Sequence, residues 1–167
     1  LLASDPHIAF GSVSCWYEVH LSGAGFNATG TGYAGVPGII FGRNEKVAWG
    51  LTNNICAQRD LYQEKENPDQ PGSFMYDNEW EPATEIEETI LVKDGDPVVR
   101  TIRQTRNGPI VDAILPEEAR DTGPVSLRWM GAEPCDELTS MMRMSMAGNV
   151  DEFREALRSW SVPTWSF

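Results

Sequence analysis

The sequence predicts an α+β protein, with antiparallel strands through most of the chain and helices at its C-terminal end. Two observations carry that prediction. Short runs with period-2 alternation, punctuated by Gly, Pro, Asn and Asp, fill residues 1–133. Apolar residues at helical spacing come only afterwards, in residues 134–167. A length of 167 residues, 41% hydrophobic and 10% aromatic, suits a folded chain with a core of its own. With 13 Lys and Arg against 25 Asp and Glu, the net charge is −12. That balance excludes a general nucleic-acid binder, which needs a basic face toward phosphate. No apolar run approaches the roughly 18 residues of a membrane helix, so no membrane partner is expected.

Each element has a local reason. Residues 15–21 alternate, with Trp16, Glu18 and His20 on one face and Tyr17, Val19 and Leu21 on the other. Residues 38–42 and 46–50 are short apolar runs joined at Arg43-Asn44-Glu45, which reads as a β-hairpin bracketed by glycines. Residues 67–72 hold two prolines and a glycine and form a loop. Residues 83–106 are the clearest hairpin. Ile86, Glu88, Ile90 and Val92 share a face, Asp94-Gly95 turns the chain, and Val98, Arg100, Ile102 and Gln104 continue beyond. Residues 108–111 start a short strand, 116–124 form an acidic exposed loop, and 126–129 form a further strand. Residues 137–147 carry four methionines and read as a helix. Asn149 is the N-cap of the next, with Glu152 completing a capping box. Val150, Phe153, Leu157 and Trp160 then share one helical face.

Cys15, Cys56 and Cys135 are far apart, so one disulfide and three free thiols both remain open. Leu1-Leu2-Ala3 reads as the interior of a strand, and Trp165-Ser166-Phe167 stops abruptly. The expectation is a piece excised from a longer chain. HExxH, a P-loop and a GxSxG elbow are all missing from the sequence. Gly30-Thr31-Gly32-Tyr33-Ala34-Gly35 is a literal GxGxxG, but Pro37 and a strand-like run follow it instead of a helix. It reads as a glycine-rich turn between strands.

A different constellation is more specific. Asp5-Pro6-His7 is followed by Trp16-Tyr17-Glu18-Val19-His20-Leu21, and then by the run from Gly35 through Phe41-Gly42-Arg43-Asn44 and Trp49-Gly50-Leu51-Thr52 to Asn53. Arg59-Asp60-Leu61-Tyr62 and Thr105-Arg106-Asn107-Gly108-Pro109-Ile110-Val111 come later, with Pro163 near the end. In this order and spacing the chain resembles the penicillin acylase family. These are the N-terminal-nucleophile amidohydrolases, which include penicillin, cephalosporin and acyl-homoserine-lactone acylases.

The resemblance implies a four-layered αββα sandwich. Residues 1–167 would be one partial domain of the large subunit: 1–65 core strands on the nucleophile side, 66–133 a β-rich insertion, and 134–167 a helical segment. It implies a self-cleaving precursor whose new N-terminal serine attacks a non-peptide carboxamide. The serine's own α-amine, titrating near 8, is the base. That serine would lie upstream of Leu1, because Ser4, Ser12 and Ser14 are not N-terminal. The partners implied are a small-molecule amide substrate and the rest of the precursor, with self-association of an isolated piece through uncovered sheet edges. Relatives are mostly exported bacterial proteins, which implies a periplasmic or secreted location. The competing reading is a non-catalytic binding or scaffold module that kept the framework and lost the chemistry.

Site residues follow from the same resemblance. His7 would orient the serine or its amine; otherwise it is a polar strand-end residue. Asn53 would supply a main-chain N–H to the oxyanion hole, or simply close a turn. Ser166 falls where the family carries a second oxyanion donor, an Asn side chain. Pro6, Ile8, Ile40, Phe41 and Leu51 would line an acyl pocket suited to an aliphatic or aromatic group; otherwise they are ordinary hairpin core. No cofactor is required. The family often binds a structural calcium near this hairpin. Asp60 matches one ligand position, but Ala57 stands where a second carboxylate is usual, which weakens a hard-cation site.

Overall fold

The computed structural model describes residues 1–5, 15–120 and 122–167. The strands are β1 (Trp16–Gly23), β2 (Phe26–Tyr33), β3 (Phe41–Arg43), β4 (Ala48–Trp49), β5 (Thr52–Asn53) and β6 (Arg59–Gln63). They continue as β7 (Ser73–Tyr76), β8 (Glu79–Pro82), β9 (Thr84–Ile90), β10 (Val98–Gln104), β11 (Val125–Trp129) and β12 (Trp165–Ser166). Helices are α1 (Glu117–Arg120), α2 (Glu137–Met146) and α3 (Val150–Ala156). The described chain is thus mostly antiparallel strand with two C-terminal helices, as the patterning predicts. It divides into two compact units, Leu1–Gln58 with Gly131–Phe167, and Arg59–Met130.

In the first unit, β1 to β4 form one antiparallel sheet in chain order. Its register brings Val19, Gly30, Gly42 and Trp49 into line across the four strands. Val19 and Trp49 pack with Ala28, Ile39, Met144, Phe153, Ala156 and Leu157, so α2 and α3 cover this face. The predicted strand at residues 15–21 is β1 with both faces as read. The predicted hairpin is β3–β4, shorter than its apolar runs. Asn44 shapes its turn: Oδ1 accepts from the N–H of Lys46 and of Val47, each at 2.8 Å. Its Nδ2 donates to the carbonyls of Ser145 (3.1 Å) and Ala147 (2.8 Å), tying the turn to the end of α2.

The GxGxxG segment is corrected by the structure. Gly30 and Gly32 lie inside β2, and the chain turns only after Tyr33. The glycines are there for close approach. A Cβ on Gly30 would sit 1.9 Å from the Phe41 carbonyl oxygen, and one on Gly32 would sit 2.7 Å from that of Gly38. Asn149 does cap α3, accepting from Glu152 N–H at 2.9 Å. Glu152 reaches back to Gly148 N–H at 2.7 Å. Val150 is exposed, and regular α-helix stops at Ala156, so Trp160 leaves the helical face predicted for it. All three cysteines are free.

In the second unit, β9 and β10 form the predicted hairpin, with Ile86 opposite Ile102 and Asp94 in a left-handed turn conformation. β6 pairs with β11. Residues 108–111 make isolated bridges rather than a strand. The segment read as an acidic loop contains α1, whose first turn carries Glu117 and Glu118 at the favourable end of its dipole. Its polar centre is Glu64, a buried carboxylate. Glu64 Oε1 accepts from Ser126 Oγ (2.6 Å), Thr105 Oγ1 (2.8 Å) and Asn107 Nδ2 (3.1 Å). These bonds offset its desolvation.

Candidate functional site

Opposite the helix-covered face, the sheet of the first unit bounds an open hollow of about 780 Å³. Two cross-strand rows, Glu18–Thr31–Phe41 and Thr29–Arg43–Ala48, border it, and Ser4 and Asp5 lie along its rim. Ser4 Oγ donates to Leu51 O at 3.3 Å and rests on Gly50, where a Cβ would come within 2.6 Å of Ser4 Cβ. Gly50 therefore lets the N-terminal segment lie against the exit of β4. At the end of the hollow Trp16 stacks on Tyr33, ring centroids 4.2 Å apart, and meets the edge of Phe41 at 5.0 Å. Burial, reinforced by Cys15, pushes the Tyr33 phenol up and keeps it neutral.

Beyond β4 the chain enters a two-residue ladder in which β5 pairs with β12. Asn53 faces Trp165, and Thr52 faces Ser166. The next residue extends the pairing: Asn54 N–H donates to Thr164 O at 3.0 Å, and Thr164 Oγ1 donates to Asn54 O at 2.6 Å. Antiparallel backbone groups alternate in direction. Because Asn54 N–H points at β12, Asn53 N–H points to the other edge of β5, which pairs with no other strand among the described residues. Ser166 is exposed one register step away. Trp165 packs with Ile40, Phe41, Met141, Leu51 and Trp160. Asn53 N–H thus points away from the strand that carries Ser166, and an outward main-chain amide on a ladder seated against an aromatic cluster can hold negative charge developing on an oxygen.

Ser166 and Asn53, read from distant parts of the sequence, are therefore brought together. Ile40, Phe41 and Leu51 fall in one cluster; Ile40 is sealed at 2% exposure, while Phe41 also borders the hollow. His7, Pro6 and Ile8 lie outside the described residues. Asp60 is exposed on β6, opposite Arg128 of β11. No group of three or more His, Cys, Asp or Glu that could hold a metal gathers among the described residues. Asp60 alone supplies at most two of the six to eight oxygens that calcium takes. Trp16, Glu18, Thr31 and Arg43 were not predicted as site residues. Their signal was the alternation of β1 and of Thr29 and Thr31, which marks one face of a sheet but not that the face is open.

The fold, mostly antiparallel strand with two C-terminal helices, matches that of penicillin G acylase, an N-terminal-nucleophile hydrolase fold. The penicillin amidase family profile matches residues 1–167, and the chain belongs to that family. It is 33% identical over 131 residues to the acyl-homoserine lactone acylase QuiP of Pseudomonas aeruginosa, covering 77% of this chain and 15% of that protein. It is 29% identical over 168 residues to the penicillin G acylase of Escherichia coli, covering 100% of this chain and 20% of that one. The structure superposes on a thermostable penicillin G acylase from Alcaligenes faecalis with a TM-score of 0.74 and 26% identity, covering 90% of this chain and 27% of the other. The chain thus spans about a fifth or less of the curated relatives it matches. No helix among the described residues is long and apolar enough to cross a membrane.

Proposed function

We propose that this chain works within a longer acylase that hydrolyses a non-peptide carboxamide, releasing a carboxylic acid and an amine. A serine at a newly exposed N-terminus, outside these residues, attacks the carbonyl while its α-amine takes the proton. The amine then leaves with that proton, and water cleaves the resulting ester. Asn53 N–H and the Ser166 hydroxyl stabilise the oxyanion of both tetrahedral intermediates. His7 orients the nucleophile or its amine. Phe41 and Leu51, with Pro6, Ile8 and Ile40, receive an apolar acyl group. Nucleophile and base both come from the polypeptide, so the reaction calls on no cofactor. The parent matures by self-cleavage and is exported to the periplasm or beyond.

The observation that carries this reading is the outward direction of Asn53 N–H in the β5–β12 ladder. The test expresses the whole parent gene and follows self-cleavage and hydrolysis of phenylacetyl and longer-chain acyl anilides, acyl-homoserine lactones and penicillin G. Cleavage to two subunits with release of acid from at least one amide supports the acylase. Ser166 standing where the family carries Asn favours the alternative, a binding module. An uncleaved parent that binds such amides without turnover would establish it.

A further inference from the structure

Resting on the acylase reading, the geometry points to Glu137 as a positioning residue for the oxyanion hole. It holds the segment that delivers Ser166 and Thr164 to the β5 strand. Glu137 opens α2 and is half-buried, and its Oε1 accepts from two consecutive main-chain donors, Ser161 N–H at 2.8 Å and Val162 N–H at 2.9 Å. Two successive amides converging on one anionic oxygen fix the local backbone as an anion-binding nest does. Charge assistance makes such bonds roughly twice as strong as neutral ones.

What they fix is the approach to β12. From Val162 the chain passes Pro163, whose carbonyl accepts from Trp160 Nε1 at 2.8 Å, to Thr164, which makes both bonds to Asn54. The ladder itself has only two residue pairs. A ladder so short does not set its own register, so its position follows from what holds its ends. On one side α2 is seated by buried Ser140, Met141, Met144 and Ser145. Ser140 Oγ meets Ser159 Oγ at 2.9 Å, a second tie to the same segment. The Glu137 carboxylate thus connects a packed helix to a strand that packing alone would leave loose. Burial opposes its charge, but the Cys135 thiol and the Val162 and Ser161 amides outweigh that and hold the carboxyl below its ordinary value.

A residue acting this way changes where the donors sit, not how substrate binds. The test compares the mature parent enzyme as wild type, E137A and E137Q, measuring kcat, KM and hydrogen exchange in peptides spanning residues 161–166. Misplacing a catalytic group by about 1 Å costs about 100-fold. E137A is therefore expected to lose about 10- to 100-fold in kcat with KM within about twofold, and to exchange faster at residues 161–166. E137Q keeps an oxygen that accepts both amides and is expected to return to within about fivefold of wild type. Unchanged kcat in E137A, or E137Q impaired as severely as E137A, overturns the role. Should E137A fail to accumulate, E137M, which keeps the side chain's length but offers the two amides no oxygen, takes its place: slower turnover at unchanged KM with faster exchange supports the role, and wild-type values for both overturn it. A wild-type parent that hydrolyses no amide overturns the acylase reading instead, while exchange in E137A or E137M still reports whether Glu137 holds the segment.

Discussion

Replacing Asn53 by proline deletes one hydrogen-bond donor and leaves its surroundings in place. Asn53 N–H faces the unpaired edge of β5, whereas the pairing runs through Asn54 N–H to Thr164 O at 3.0 Å and Thr164 Oγ1 to Asn54 O at 2.6 Å. Proline is tolerated where a strand's N–H faces outward. The residue before it must be extended, and Thr52 already lies in β5. The ladder therefore survives N53P and only the donor is lost. Removing one preorganised oxyanion donor costs about 100- to 1,000-fold in kcat, or about 2.7–4 kcal/mol of transition-state stabilisation. The ground-state amide oxygen carries little of that charge, so KM is expected to stay within about twofold. N53A keeps the amide and trims only an exposed side chain, so kcat is expected within about twofold of wild type. Initial rates on an acyl anilide, with gel analysis of maturation and a thermal midpoint for each variant, read the difference. N53P with wild-type kcat, or N53A as impaired as N53P, would falsify the assignment of the main-chain donor.

Gly30→Ala places a Cβ 1.9 Å from Phe41 O and 2.6 Å from Gly42 Cα, both backbone atoms of the paired strand that no rotamer change can move. A loss of about 3 kcal/mol is expected, read as a lower thermal midpoint, and an unchanged midpoint would refute the close-approach argument. Glu137 has a folded-state pKa below its unfolded one. Its contribution to stability is complete above the unfolded value and is lost as pH falls through the lowered one. The thermal midpoints of wild type and E137Q are expected to differ near neutrality and to converge in acid; a gap constant with pH would show that the charge contributes nothing.

What the sequence revealed depended on how local the signal was. β1, the 83–106 hairpin and the Asn149 cap are each specified by neighbours within a few residues, so alternation, Asp94-Gly95 and the Asn149–Glu152 spacing were enough. β2 was missed because its inward positions include Gly30 and Gly32, and glycine removes the apolar beat that marks a strand. Gly30 is required by Phe41 of β3, eleven residues further on, and Gly32 by the Gly38 carbonyl, six residues further on. The β7–β8 hairpin was missed although Asp77 and Asn78 both take positive φ, the signature of a type I′ turn, because Asp-Asn is a weaker cue than Asp-Gly. Glu64 and Ser126, 62 residues apart, have no local signature at all. Of the candidate site, the identities of Asn53 and Ser166 came from the family motif alone. Their adjacency, and the direction of the Asn53 amide, exist only once β12 lies against β5.

That dependence shapes how the site tolerates change. A ladder of two pairs contributes little stability of its own, so its geometry is inherited from α2 and from the hairpin before it. Asn44 ties the β3–β4 turn to the end of α2, and Glu137 ties the start of α2 to the approach to β12. The two proposed donors, Asn53 N–H and the Ser166 hydroxyl, thus hang from opposite ends of one ten-residue helix. Met141 and Met144 seat that helix at 4% and 1% exposure. Substitutions on the seated face act on both strands together, whereas Asn44 and Glu137 each act on one. Coupling between Asn44 and Glu137 variants should accordingly be weak for stability, because they share no partner. It should be strong for turnover, because an oxyanion needs both donors at once.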